Sequence, residues 1–322
     1  MSERITVLGG GVFGVASALA LAERGHAVTL VDDAAPPVPR ASSTDVSKVI
    51  RADYDDPFYV DLADRAWDGW LRWDRDWPEP PLRSTGALLV APRPMTADSW
   101  EGRVHALLDA RGAELVRLDA GVLRDRFPAF ATGLGAGAEA GGGIDGYFNP
   151  RAGWAPSAAV VATLLAHAVG AGVALRAGAR VRRIEDGADG VTVELDDGTR
   201  LRGDRAVVSA GAWTPRLVPE SAALLRAVAQ PVLHFRVPDA ARFSAPAVPV
   251  WAVDLTGEGW YGFPSLADGT LKIGNHGPGV PVDPDAPGDV TEAVEATCRA
   301  FLRRAIPELA DAPRVWSRHC LY

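Results

Sequence analysis

The sequence predicts an α/β chain, α+β overall: a Rossmann-type dinucleotide-binding domain with a second, mainly antiparallel β domain laid over it. Three observations carry that expectation. The first thirty-odd residues hold a strand, a Gly-x-Gly-x-x-Gly turn, a helix and a second strand in order. The chain has 322 residues, 48% of them hydrophobic, enough for two cores. From Gln230 onward the pattern changes to longer strands carrying aromatics, which reads as antiparallel sheet.

Taken in order, Ile5, Val7 and Leu8 read as a short buried strand, and Gly9, Gly11 and Gly14 sit where it turns into a helix. Gly9 allows the tight turn, Gly11 lets backbone approach a pyrophosphate, and Gly14 lets the helix pack close to the strand. Val12 and Phe13 open that helix, whose free N–H groups face the phosphates. The strand Ala27 to Val31 ends at Asp32, where a carboxylate accepts hydrogen bonds from a ribose. A glycine-rich structural turn is the alternative. The spacing does not choose between NAD and FAD.

After an irregular Pro-rich connection, Ala41-Ser-Ser-Thr-Asp-Val-Ser-Lys-Val-Ile-Arg51 reads as a loop packed under something anionic or flat. Phe58 to Trp77 reads as a helix with Leu62, Ala66, Trp70 and Trp73 on one core-facing stripe. A strand follows at Gly86 to Ala91, then a helix from Val104 to Ala110 and a short helix closed by Arg126-Phe-Pro. The Gly/Ala run from Ala131 to Gly143 reads as a flexible or surface loop. A strand from Ile144 leads to a helix whose first turn accepts Pro156. Strands then run from Val173 to Leu201, with an Asp-Asp-Gly hairpin turn at 196–198. Asp204 to Ala210 reads as a buried apolar strand ending at Gly211-Ala-Trp213, placed to touch a cofactor again. The antiparallel strands beyond Gln230 lead to an amphipathic helix, Thr291 to Ala305, holding Cys298, and to a last strand from Pro313.

Composition narrows the function classes. A net charge of −8 with both signs scattered argues against nucleic acid. The chain enters its first strand too early for a signal peptide and has no run of eighteen apolar residues, so a cytoplasmic protein without membrane span is expected. The two cysteines fit a reducing compartment and rule out a disulfide framework. The six histidines show no ligand spacing, so no metal is expected. No Gly-x-Ser-x-Gly elbow supports hydrolysis. Only two of the 33 basic residues are lysines, Lys48 and Lys272, which marks either positions where a compact ammonium serves and a planar guanidinium does not, or two lysines left on the surface by chance.

Seven stretches in order, namely the fingerprint with Asp32, Ser42 to Arg51, Ser209-Ala-Gly-Ala-Trp213, Gln230-Pro231, Tyr261-Gly-Phe-Pro264, Lys272-Ile-Gly-Asn-His276 and His319-Cys-Leu-Tyr322, resemble the FAD-dependent D-amino-acid-oxidase superfamily. Within it they are most similar to the monomeric sarcosine oxidase and N-methyl-amino-acid oxidase branch. The resemblance implies FAD. It implies that Gly9, Gly11, Gly14 and Asp32 hold the ADP half, that Ser42, Ser43, Thr44, Lys48 and Val49 line the flavin side, that Val181 meets the adenine region, and that Gly211 and Trp213 return to the cofactor. It implies that Arg51 holds a substrate carboxylate, that Lys272 lies over the flavin ring where its charge aids dioxygen reduction, and that Tyr261, His276 and Tyr322 line an amine pocket. His276 and Tyr261 also read as core residues. Cys320 matches a cysteine that forms a thioether to the flavin in this branch, and otherwise reads as a small buried apolar residue.

Two departures stand out. Ser43, Thr44 and Lys48 replace the histidines and arginine common in the family loop, which fits bulkier amino acids or Amadori-type amines as well as sarcosine. The family's Pro-Asp strand and Gly-Phe-Lys segment beyond Cys-x-Tyr do not occur by Tyr322, so either the sequence is a fragment or part of the flavin site has been lost. The expected organisation is an FAD-binding domain of residues 1–82, 151–222 and 312–322, with a substrate domain of residues 83–150 and 223–311. The expected activity is oxidation of a secondary or primary amino acid to an imine, with dioxygen reduced to hydrogen peroxide, by a monomer. The rival readings are a dehydrogenase using another acceptor, a non-catalytic FAD-binding remnant and a nicotinamide dehydrogenase.

Overall fold

The computed structural model describes residues 1–131 and 143–322, so most of the Gly/Ala run expected as a loop lies outside the described residues. The N-terminal unit is a four-stranded parallel sheet in the order Arg205–Val208, Arg4–Leu8, Ala27–Asp32, Ala174–Ala177. Val7, Leu30 and Val15 are fully buried between this sheet and the helices Val12–Glu23 and Ser157–Gly170. Arg205–Val208 is half-buried rather than buried, because it is the edge strand, paired on one side only to Arg4–Leu8. Its apolar side packs on a separate three-stranded antiparallel sheet, Val181–Gly187, Gly190–Leu195 and Arg200–Gly203. Gly198, at φ +84°, closes the hairpin expected at Asp196-Asp-Gly.

The second layer is a large sheet built on Val228–Arg236, Thr270–Asn275, Trp260–Gly262 and Val250–Val253, joined by Ala87–Ala91, Asp145–Asn149 and Val116–Leu118. It is not uniformly antiparallel: Val250–Val253 runs parallel to Ala87–Ala91, joining strands contributed by distant parts of the chain. The last strand, Arg314–Leu321, also departs from expectation. Placed on sequence with the FAD-binding segments, it pairs antiparallel with Val228–Arg236 in the large sheet, because its backbone matches that edge from Leu321 opposite Ala229 to Arg314 opposite Phe235. The helix Glu292–Ala305 covers the sheet with Phe301, Leu302 and Cys298 buried against Trp251 and Trp260. Thr291 caps it, acids sit in its first turn, and Arg303 and Arg304 sit in its last, each matching the helix dipole.

The helix Pro57–Asp76 starts with Asp56 accepting from Phe58 N at 2.9 Å and Pro57 in the first turn. Trp70 and Trp73 pack inward, and Trp73 stacks on Trp77 with ring centroids 4.7 Å apart. Leu62, expected on that stripe, is exposed, while Val60 is the residue buried. The loop from Ala41 to Arg51 contains a short strand, Lys48–Ile50, paired with Gly153–Ala155. That pairing fixes Lys48 and Arg51 between the two layers.

Candidate active site

Two cavities meet at Lys48 and Tyr322. The larger, about 850 Å³, runs along the carboxyl ends of the parallel strands, where open α/β sheets take their ligands. The smaller, about 180 Å³, lies against the large sheet.

The large cleft begins at the glycine turn. Gly9 has φ +109°, and a Cβ there would meet Ser209 O at 2.4 Å. A Cβ on Gly14 would meet Gly9 O at 1.7 Å, so helix and strand approach this closely only with glycine. Asp32 accepts from Gly10 N at 2.6 Å and Ala34 N at 2.9 Å. Burial raises its pKa against those two hydrogen bonds. Ser43 Oγ accepts from Val12 N at 3.1 Å, capping an amide of the first helical turn. Gly9, Gly11, Val12, Phe13, Asp32, Ser42, Ser43, Lys48, Val181, Gly211 and Trp213 line this cleft. Phe13 is largely exposed, and Trp213 is held by an Nε1 bond to Asp285 at 2.7 Å with Arg40 over its ring.

Four residues expected on the cofactor are placed elsewhere. Gly14 packs behind the turn, and Val49 lines the small pocket. Thr44 turns its hydroxyl into the interior, without a hydrogen-bond partner among the described residues, while its carbonyl accepts from Arg318. Cys320 is fully buried, with Lys48 Nζ 3.2 Å from its sulfur, and lines neither cavity although its neighbours Leu321 and Tyr322 line the large one. An elongated cleft with a glycine-lined backbone at one end and an acid at the adjoining strand end fits an FAD molecule. Gly211 adds a position at φ +53° with open space beside its Cα.

All six residues expected in the chemistry line the small pocket: Lys48, Arg51, Tyr261, Lys272, His276 and Tyr322. They come from three separate strands and the first loop. Arg51 stacks on Tyr54 at 4.5 Å and donates to the carbonyl of Asp53, whose carboxylate is buried and accepts from Tyr147 and Asn149. Tyr261 finds room because Gly274 faces it: a Cβ there would meet the ring at 2.5 Å. Burial raises the pKa values of Tyr261 and Tyr322, so both phenols stay protonated. Burial, and then the Arg51 charge, lowers that of His276 and keeps it neutral.

Lys272 is almost fully buried, with its ammonium 4.7 Å from the Phe263 ring centroid. Its Nζ donates to Asp45 Oδ2 and to Ser47 O, each at 2.6 Å. Burial and the Lys48 charge bring its pKa down to about 8, against the pull of Asp45. For Asp45 itself burial acts to raise the pKa, and the Lys272 and Lys48 charges outweigh it, so the carboxyl titrates below its ordinary value. Asp45, which touches both lysines, is the residue of this cluster that sequence reasoning passed over. An acid three positions before one of two scarce lysines was the available signal.

Among the described residues no helix is long and apolar enough to cross a membrane, and no cluster of three ligating side chains could hold a metal. Comparison with known proteins gives a consistent picture. Monomeric sarcosine oxidase of Bacillus sp. (strain NS-129) is 29% identical over 311 residues, covering 94% of this chain and 77% of that protein. N-methyl-L-tryptophan oxidase of Salmonella arizonae is 27% identical over 314 residues, covering 95% and 80%. In structure, the amino acid oxidase NikD in its open form matches with a TM-score of 0.82 at 22% identity, covering 99% of this chain and 81% of that one, which shows a shared fold. Fructosamine oxidase from Aspergillus fumigatus (Amadoriase II) matches with a TM-score of 0.80 at 25% identity, covering 99% and 76%. The DAO family model, described as FAD dependent oxidoreductase, matches residues 4–321. With the glycine turn, Asp32 and the elongated cleft already in place, that match completes the assignment: the chain belongs to the DAO family of FAD-dependent oxidoreductases.

Proposed function

We propose that this chain oxidises the C–N bond of an amino acid, a secondary N-methyl or similar amine or a primary one, and reduces dioxygen to hydrogen peroxide. The observation that carries the proposal is the convergence of Lys48, Arg51, Tyr261, Lys272, His276 and Tyr322 on one pocket that shares Lys48 and Tyr322 with the cofactor cleft. The pocket, about 180 Å³, opens onto that cleft, so a substrate in it would lie beside the cofactor. Bound FAD would supply the two-electron acceptor for the C–N bond and, once reduced, the electrons for dioxygen.

The residues account for the remaining requirements. Arg51 offers a planar fork to a carboxylate, held by its stack on Tyr54 and its bond to Asp53 O. The amine has to react with a lone pair. Among the described residues the pocket lining contains no carboxylate, so an ammonium is disfavoured by lost hydration and by the nearby Arg51 and lysine charges. The protonated phenols of Tyr261 and Tyr322 and the neutral imidazole of His276 orient the amine without adding charge. The imine product is hydrolysed by water. Lys272 presents a fixed cation where anionic oxygen species form. The two free cysteines fit a reducing compartment, the cytoplasm on this reading.

Lys272→Met tests the assignment. It is expected to slow reoxidation of the reduced protein by air about 100-fold, the scale of one preorganised electrostatic group, while reduction by substrate changes far less. In the unaltered protein the reoxidation rate is expected to fall as pH rises through about 8, because Lys272 loses its charge there. Equal slowing of both half-reactions, or a reoxidation rate flat across that range, would overturn the role. Peroxide formation under air separates an oxidase from a dehydrogenase.

A further inference from the structure

Asp45 stands at the junction of the two cavities, lines neither, and touches both lysines of the chain. It is buried, with 5% of its surface exposed. Its backbone carbonyl accepts from Ser157 Oγ at 2.9 Å and Ala158 N at 3.1 Å, at the start of the helix Ser157–Gly170. Its Oδ1 accepts from Val46 N at 2.7 Å. The carboxylate is therefore fixed from two sides, and Oδ2 is left for the cations.

The two lysines do not share that oxygen equally. Lys272 Nζ is 2.6 Å from it, while Lys48 Nζ is 3.3 Å away and has Cys320 Sγ at 3.2 Å. Charge-assisted N–H···O bonds run at about 2.7–2.9 Å, so Lys272 holds the full bond and Lys48 a marginal one. We propose that Asp45 is a positioning residue: held rigid by the helix start and by Val46, it fixes the Lys272 ammonium on the wall of the small pocket and leaves Lys48 free to turn to Cys320 and the large cleft. One carboxylate set against two ammonium groups leaves a single net positive charge at the junction, suited to one anion at a time.

The other titratable groups around the trio do not compete for this role. His234, opposite Lys272 on the neighbouring strand, has Nε2 4.0 Å from Asp45 Oδ1, and burial brings its pKa to about 4, so it is neutral. Tyr261 and Tyr322 keep their protons, Cys320 faces Lys48 rather than Asp45, and Arg318 is engaged with the carbonyls of Pro39 and Thr44. Arg51 faces the small pocket.

The functional half of the inference rests on the assignment of Lys272 to the dioxygen step. The positional half stands on the chain alone and has its own readout. Because Lys48 and Lys272 are the only lysines, acetic anhydride labelling followed by peptide mass spectrometry reads each ammonium separately, with the Met1 amine as reference. Asp45→Asn preserves shape and removes the charge. In the FAD-bound variant at about pH 6.5, Lys272 is expected to label about tenfold faster than in the unaltered FAD-bound protein, the effect of one pKa unit on the neutral amine, and Lys48 to change much less. No change at Lys272, or equal acceleration of both lysines, overturns the proposal. Should the variant not fold, 13C NMR of lysine Cε in the unaltered protein gives the same contrast: the shift on protonation of Asp45 is expected to be larger at Lys272 than at Lys48, and the reverse overturns it. In the holoenzyme Asp45→Asn is expected to slow reoxidation at least fivefold more than reduction. Selective labelling with equal effects on the two half-reactions would leave the positioning role in place and overturn the functional half.

Discussion

At its glycine turn the large cleft presents backbone, whereas the small pocket presents side chains. Gly9, Gly11 and Gly14 act through what they lack, and Asp32 acts by fixing the Gly10 and Ala34 amides. Arg51, Tyr261, Lys272 and His276 present groups at the ends of long or aromatic side chains, carried to one place by the first loop and by the strands Trp260–Gly262 and Thr270–Asn275. A backbone site tolerates no added atom at its closest approach, whereas a side-chain site loses one interaction at a time. The two cavities are therefore expected to fail in different ways, and four substitutions grade the difference.

The largest effect is expected at the point of closest backbone approach. In Gly14→Ala the new Cβ would lie 1.7 Å from Gly9 O and 2.9 Å from Gly9 C, and neither atom belongs to a side chain that can swing away. Strand and helix have to separate, at or above the ~3 kcal/mol upper end of ordinary overpacking costs. FAD affinity measured by fluorescence titration is expected to fall at least ~100-fold. An affinity within a factor of about three would show that the turn does not set cofactor binding.

A middle effect is expected from the side-chain site. Arg51→Gln removes the charge while the buried Asp53, Tyr147 and Asn149 network beneath it stays in place. Losing a charge-assisted hydrogen bond costs about 1.5–3 kcal/mol, so KM for amino acids is expected to rise about 10- to 100-fold. Cofactor affinity is expected to stay unchanged, because Arg51 lines the small pocket and not the cleft. A variant that loses FAD and substrate together would show that the cavities are not separable in this way.

The same contrast explains what was legible in the sequence. The strand, glycine turn, helix and acid are local, so spacing alone gave the cleft its first wall. Of the pocket residues, Lys48 and Lys272 stood out by their scarcity, and the others were found through the resemblance of short stretches to a family. Asp45 escaped both routes, because its meaning depends on Lys272, 227 residues away, reaching it across the junction. The parallel pairing of Ala87–Ala91 with Val250–Val253 and the entry of Arg314–Leu321 into the large sheet escaped for a related reason. Strand pairing between distant segments is decided by tertiary packing and leaves no periodicity in either strand.

The smallest and most discriminating effect comes from two adjacent residues that the sequence placed together. Ser43 and Thr44 were both expected on the flavin side, yet only Ser43 faces the cleft, with its Oγ accepting from Val12 N at 3.1 Å. Thr44 Oγ1 is buried without a partner among the described residues, and the residue contributes through its carbonyl, which accepts from Arg318 at 2.8 Å. Ser43→Ala uncaps a helix-start amide, worth about 1 kcal/mol, and is expected to weaken FAD binding about fivefold. Thr44→Ala removes a hydroxyl that has no partner to lose and keeps the backbone carbonyl, so affinity is expected to stay within about twofold. The ratio between the two variants matters more than either value, because both delete one hydroxyl from one short loop and differ only in which way it points. Equal losses would mean that loop stiffness, rather than contact with the cleft, sets the affinity, and the backbone account of the large cavity would then have to extend to the whole segment from Ala41 to Ser47.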